Sequence, residues 1–170
     1  QKGETEPQLR FEGFSGEWEE TKLGEIVEIS SGITGDSTLS SGNYRITRIE
    51  TIAFEKVNLE KVGFIDEKPD PKFLLNKGDI LYSNINSLSQ IGKTAIFYSD
   101  EEVYHGINLL RFSVKPETSP LFLFFYLKTE SSRKWAMSHA NQAVNQASIN
   151  QSTLDRKSTR LNSSHSGQSR

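Results

Sequence analysis

The stretch Phe73-Leu-Leu-Asn-Lys-Gly-Asp-Ile-Leu-Tyr-Ser83, followed after a polar loop by Ile91-Gly-Lys-Thr-Ala-Ile-Phe-Tyr98, constrains the fold more than any other part of this chain. Lys77-Gly78-Asp79 reads as a tight turn, with glycine free to take backbone angles other residues avoid. A short strand, a loop and a second strand follow, and Ile80, Leu81, Ala95 and Phe97 anchor the two strands in a core. The loop from Ser83 to Gln90 offers Asn84, Asn86, Ser87, Ser89 and Gln90. Their amides and hydroxyls read hydrogen-bond patterns, and none is a good acid, base or nucleophile. The pattern predicts a recognition loop mounted on a rigid sheet, not a catalytic one.

The 170 residues are 34% hydrophobic, enough for one core and too few for two. The longest apolar run, Leu121 to Leu127, falls far short of the roughly 20 residues that cross a bilayer. No apolar stretch at the N-terminus marks a secretory signal, so the expected location is the cytoplasm. Without cysteine, disulfides and thiolate zinc sites are excluded. The net charge of −2 is unevenly spread. Residues 1–70 carry eight Lys/Arg against fifteen Asp/Glu, 71–154 eight against six, and 155–170 four against one. This balance counts against a nucleic-acid partner; a surface facing one would belong in the middle and C-terminal parts. Its charge is weak for a phosphate footprint unless a basic partner shares the contact.

Residues 1–8 read as a disordered N-terminus. Leu9, Phe11, Phe14 and Trp18 then bring apolar weight. Thr21 is placed to cap a helix running through Ile29, with Leu23, Ile26 and Val27 on one face and Gly32 as its C-terminal cap. Tyr44-Arg-Ile-Thr-Arg-Ile49 alternates like a strand, turning Arg45, Thr47 and Arg48 or its neighbours toward solvent. A further strand spans Leu109 to Val114, preceded by the polar segment containing His105 and Asn108. Ser119-Pro120 starts a helix, a second covers Ser131 to Ala140, and Asn141 to Gln146 is polar. These elements make a mixed α/β (α+β) domain with a twisted, mostly antiparallel sheet flanked by short helices. Asp155 to His165 translates codon for codon from a common sequencing-library adapter, so residues 155–170 read as adapter read-through and are set aside from the fold.

Each polar group has two readings. Gly92-Lys93-Thr94 resembles the end of a phosphate-binding loop, but Ser87 stands where the first glycine belongs and a strand follows, so Lys93 meets a DNA phosphate or solvent. His105, His139 and His165 lack carboxylates at metal spacing, and no metal or cofactor is expected. Asp66, Glu67 and Asp70 form a solvated acidic loop. Arg45, Thr47 and Arg48 fit a solvated strand face or a groove contact. Asn141, Gln142, Asn145 and Gln146 fit an interhelical linker or a reading surface. Asn and Gln can make paired contacts to adenine, Arg to guanine, while Lys and Arg supply affinity through phosphates.

Leu9-Arg-Phe11 with Phe14-Ser-Gly-Glu-Trp18, Lys22-Leu-Gly24, Ser31-Gly32, Tyr44-Arg-Ile-Thr47, Leu75-Asn-Lys-Gly-Asp-Ile-Leu81, Ile91-Gly-Lys93 and Ala147-Ser-Ile-Asn150 leading to Leu154 come in a specific order. In that order the chain resembles the target-recognition domain of type I restriction-modification specificity (S, HsdS) subunits, over roughly residues 7–154. The resemblance implies a non-catalytic domain at 9–154 that reads one half of a split double-stranded DNA target. In that family, methyltransferase (M) subunits use S-adenosylmethionine and a restriction (R) subunit uses ATP; the recognition domain itself needs no cofactor. The family's spacer helix and second recognition domain do not follow Leu154, so the chain reads as a fragment with one reading head. The expected DNA contacts are Arg45, Thr47, Arg48, Asn84, Asn86, Ser87, Gln90, Lys93, His105, Asn108, Asn141, Gln142 and Asn145. The alternatives are the recognition domain of a fused restriction-methyltransferase, or a protein-interaction module whose polar loop binds a peptide.

Overall fold

The computed structural model describes residues 18–34, 39–52 and 55–162. In chain order these form β1 (Trp18–Lys22), α1 (Leu23–Ile26), β2 (Val27–Ser31), β3 (Tyr44–Ile46), β4 (Gly63–Ile65), β5 (Ile80–Tyr82), β6 (Ile85–Asn86), β7 (Thr94–Ile96), β8 (Val103–Tyr104) and β9 (Leu110–Val114). Then come α2 (Pro120–Lys128), α3 (Glu130–His139), β10 (Asn141–Ala143), β11 (Gln146–Ser148), α4 (Gln151–Asp155) and β12 (Ser158–Asn162). The expected disorder of residues 1–8, and the apolar residues Leu9, Phe11 and Phe14, lie outside the described residues.

The organising element is the sheet β2-β9-β5-β7, antiparallel throughout. The adjacent strands β5 and β7, at one side of this sheet, are built from the sequence's strongest signal. Gly78 sits at φ +93°, in the region that favours glycine, and its N–H donates to Phe97 O at 2.8 Å. Asp79 closes the turn by accepting from Asn76 N at 2.9 Å through Oδ2. Because side chains alternate along a strand, each face of this sheet feeds a different core. Ile80, Tyr82, Ile96, Leu110 and Phe112 join Leu23, Val27, Leu123, Leu127 and Leu154 on the helical side. Leu81, Ala95, Phe97 and Leu109 turn the other way, onto Ile52, Val62, Leu75 and Val103. A sheet buried on both faces reads as the near-continuous apolar run seen here rather than as clean alternation.

On the helical side, α2 and α3 begin where their caps dictate. Ser119 Oγ accepts from Phe122 N with Pro120 in the first turn, and Thr129 Oγ1 accepts from Ser132 N. On the other side a small sheet, β4-β3-β8, covers the second core. Its β3–β8 pairing is parallel.

Several expectations change. The helix expected from Thr21 through Ile29 runs only from Leu23 to Ile26, with Lys22 rather than Thr21 at its N-cap, because Val27 to Ser31 gain a full antiparallel ladder against β9 that a helix would forfeit. Gly32 is therefore no helix cap. It follows a strand and lies against Gly106, where an added Cβ would sit 2.3 Å from the Gly106 carbonyl carbon. The mixed α/β class with mostly antiparallel pairing holds, but the strands divide among four small sheets rather than one. Residues 155–162, set aside as adapter-derived, take part in the fold. Lys157 N and O bond Leu154 O and Leu23 N, and β12 pairs antiparallel with β1. Thr159 is fully buried.

Candidate nucleic-acid interface

The polar loop leaves β5 through a closed neck. Ser83 N donates to Lys93 O at 2.8 Å, and Gly92 N donates to Ser83 O at 2.9 Å. Gly92 reverses the chain at φ +79°, with Ala136 Cβ 3.0 Å from where a side chain would begin. The outer part of the loop is held from α3. Arg133 Nε donates to Ile91 O at 3.1 Å and Nη2 to Ser89 O at 2.8 Å. These charge-assisted bonds fix the loop backbone, so Arg133 is a positioning residue.

The loop's first residues then join a second polar segment. β6 pairs with β11, Ile85 opposite Ser148 and Asn86 opposite Ala147, and β11 pairs with β10. The segment read as either an interhelical linker or a reading surface is a hairpin, and its register puts it in one three-stranded ribbon with the loop. Ala147 and Ile149 anchor the ribbon in the helical-side core. Asn141, Gln142, Ala143, Asn145 and Gln146 are all exposed, and Val144 at the tip is 98% exposed. Ser87 and Leu88 face the hairpin residues Gln142, Asn145 and Gln146 across a cleft of about 330 Å³.

The predicted residues divide sharply. Asn86, Ser87, Gln90, Asn141, Gln142 and Asn145 come together on the ribbon and its loop. Asn86 Oδ1 accepts from Ser87 N at 2.8 Å, which orients its amide. Asn84 is half-buried and works inward: its backbone O accepts from Ile149 N at 2.9 Å and its Nδ2 lies 3.5 Å from Ile149 O. Lys93 stands at the far end of the loop beside a separate basic hollow.

Arg45, Thr47, Arg48 and His105 lie instead on or beside the β4-β3-β8 sheet, across the central sheet. Two of them are corrected. Thr47, expected on a solvent face, is 3% exposed and accepts from Gly106 N at 2.8 Å. His105 is completely buried, with Nε2 2.7 Å from Leu109 O, so it donates there as a neutral ring. Burial pushes its pKa down to about 4, with the nearby Arg111 acting in the same direction. Neither can reach a groove. Arg45 pairs with Glu101 at 2.5 Å, and Arg48 Nη2 donates to Leu39 O at 3.1 Å. Asn108 is exposed in a turn before β9.

The ribbon offers neutral donors and acceptors and no nucleophile. Among the described residues no cluster of His, Asp and Glu could hold a metal ion, and no helix is long and apolar enough to cross a membrane. In general a two-stranded β-ribbon can enter the major groove of duplex DNA, where amides can discriminate base edges; β10 and β11 form a two-stranded hairpin at the exposed side of this sheet. Sequence reasoning missed Arg133 and Val144. Nothing near Arg133 in the sequence marks it, since its partners lie 42 and 44 residues away. Ala143-Val144, two apolar residues between pairs of amides, was the available sign of a hairpin tip.

The model of the type I restriction modification DNA specificity domain matches residues 15–159. The chain is 38% identical over 144 residues to the "Putative type I restriction enzyme MjaX specificity subunit" of Methanocaldococcus jannaschii, covering 81% of this chain and 34% of that protein. The fold is similar to the S subunit of a type I restriction-modification system from M. genitalium, with TM-score 0.61 at 16% identity over 91% of this chain and 37% of that one. It is also similar to the HsdS subunit from Thermoanaerobacter tengcongensis, with TM-score 0.59 at 15% identity over 92% and 35%. The chain thus spans about a third of the length of each of these relatives.

Proposed function

Because the chain belongs to the type I restriction modification DNA specificity domain family, we propose that it reads one half of a split DNA target through the ribbon β6-β11-β10 and the loop beside it. The reading is non-catalytic. It selects the sequence at which methyltransferase and restriction subunits act, in the cytoplasm where the DNA lies. The observation that supports it is the register of β6 against β11, which joins the half-buried Asn86 to the hairpin and brings exposed Ser87 to the cleft lined by Gln142 and Asn145.

The residues then sort by role. Asn86, Gln142 and Asn145 read base edges, with Ser87 and Gln90 beside them. Asn84 and Arg133 set the loop's geometry, and Lys93 contacts the phosphate backbone. Neutral readers explain how a chain of net charge −2 can recognise DNA, since amides discriminate bases without adding charge. In an assembly, partner subunits supply part of the phosphate grip. The test is to assemble the chain with its methyltransferase subunits and map methylated sites. Replacing Asn86, Gln142 and Asn145 together by Ala should change which sequences are modified; an unaltered methylation pattern would sink the assignment.

A further inference from the structure

Beyond Lys93 the loop borders a hollow of about 560 Å³ that the ribbon does not include. Lys56, Lys93, Lys128 and Arg133 line it, four cations against the single carboxylate of Glu55. Lys56 and Lys93 have no ion-pair partner among the described residues. Thr94 lines the same hollow. It is 7% exposed, and its Oγ1 is buried with no hydrogen-bond partner among the described residues. A buried hydroxyl left unpaired is uncommon, and this one has a donor to give to an acceptor seated beside it.

We propose that this hollow seats a backbone phosphate of the DNA read by the ribbon, and that Glu55 occupies Lys128 in that phosphate's place until DNA binds. The inference rests on the DNA-reading assignment above. A phosphodiester carries one negative charge and accepts hydrogen bonds without donating any, which matches lysine ammonium, guanidinium and hydroxyl donors.

The geometry gives each group a part. Ile96 N donates to Glu55 O at 3.1 Å and Val57 N to Ile96 O at 3.4 Å, so the backbone around Lys56 is pinned along β7. Glu55 ion-pairs with Lys128, but its side chain is 68% exposed against 30% for Lys128. Lys128 Nζ also lies over the Phe124 and Phe125 rings, 5.2 and 5.7 Å from their centroids. The carboxylate can therefore swing out to water while the ammonium stays. Arg133 spends Nε and Nη2 on the reading loop and leaves Nη1 outside those two bonds. A phosphate reaching Nη1 would register the DNA backbone directly against the loop that reads the bases.

The experiment uses the full chain and fluorescence anisotropy across a salt series. Two labelled duplexes are compared, one selected by the wild type from a random library and one unrelated. Lys56→Ala and Lys93→Ala should each weaken both duplexes alike and lower the salt slope by about 1. Lys72→Ala, outside the hollow, serves as the control. Glu55→Gln should tighten binding by up to about fivefold, the reverse of what losing a structural ion pair would do. Thermal melting verifies that each variant is folded. A wild type that binds DNA, with Lys56→Ala and Lys93→Ala leaving affinity and slope alone, overturns the seat while the reading assignment stands. A wild type that binds neither duplex overturns both. Inorganic phosphate that shifts the Lys56 and Lys93 amide resonances, with the DNA salt slope unchanged, assigns the hollow to a free oxyanion and also overturns the proposal.

Discussion

Thr47 and Gln142 look alike as candidates: each is a hydrogen-bonding side chain in a short segment, and each counts among the expected DNA contacts. In the β4-β3-β8 sheet, polar side chains are consumed by the fold. Thr47 bonds the Gly106 backbone, His105 bonds Leu109, and Arg45 is paired with Glu101. In the β6-β11-β10 ribbon the backbone does the holding, through strand pairing, while Ala147 and Ile149 supply the buried anchor. Side chains of the hairpin are left in solvent. The contrast teaches that hydrogen-bonding capacity marks a reader only where the main chain has already been satisfied by its own ladder.

The contrast can be broken by mutation. Leu81 is fully buried in the core beneath the β4-β3-β8 sheet. Leu81→Ala should cost about 2–5 kcal/mol in denaturant unfolding, and a loss below 1 kcal/mol would mean that this core does not support the fold.

His105 comes next. Its folded pKa of about 4 lies below the ordinary 6.5, so the unfolded chain binds the proton more readily. Its contribution is fully present above about pH 6.5 and is lost as pH falls toward 4, reaching about 2 kcal/mol at pH 5. Unfolding of the wild type and His105→Gln at pH 7 and pH 5 should differ by that amount. Parallel pH dependence in the two proteins would refute a buried neutral ring.

Thr47→Val leaves the buried Gly106 N–H without its acceptor and should destabilise by about 1–2 kcal/mol. The sequence selected from a random duplex library should not move, and a shift in that sequence would return Thr47 to the groove. The smallest effect on stability belongs to the ribbon. Gln142→Ala with Asn145→Ala should change unfolding free energy by less than about 0.5 kcal/mol. The same pair should relax base preference at the contacted positions by about 1–3 kcal/mol each. A large stability loss with intact preference would reverse the comparison.

Much of the scaffold was legible in the sequence. The Lys77–Asp79 turn, the apolar residues of β5 and β7, and the Ser119-Pro120 helix start are local signals, and local physics decided them. The ribbon was not legible as a ribbon. Apart from Val144 at its tip, Asn141 to Gln146 lacks the β-branched and aromatic residues that announce strands, and its extended form depends on β6, more than fifty residues earlier in the chain. The one-turn helix at Leu23 shows the same limit from the other side. Leu23, Ile26 and Val27 suit one helical face, yet Val27 is claimed by β9, a partner no local window contains. Thr47 and His105 failed as readers because polarity does not distinguish a side chain that bonds the protein from one that awaits a ligand.

The hairpin tip bears on how the proposed reading head would change. With Val144 wholly in water and its neighbours bonded mainly through their backbones, residues 142–146 can vary with little penalty to folding. If these positions read DNA as proposed, drift at them would be filtered by the DNA rather than by the protein. A lineage could therefore sample new targets in small steps while the sheet beneath stays under tight constraint.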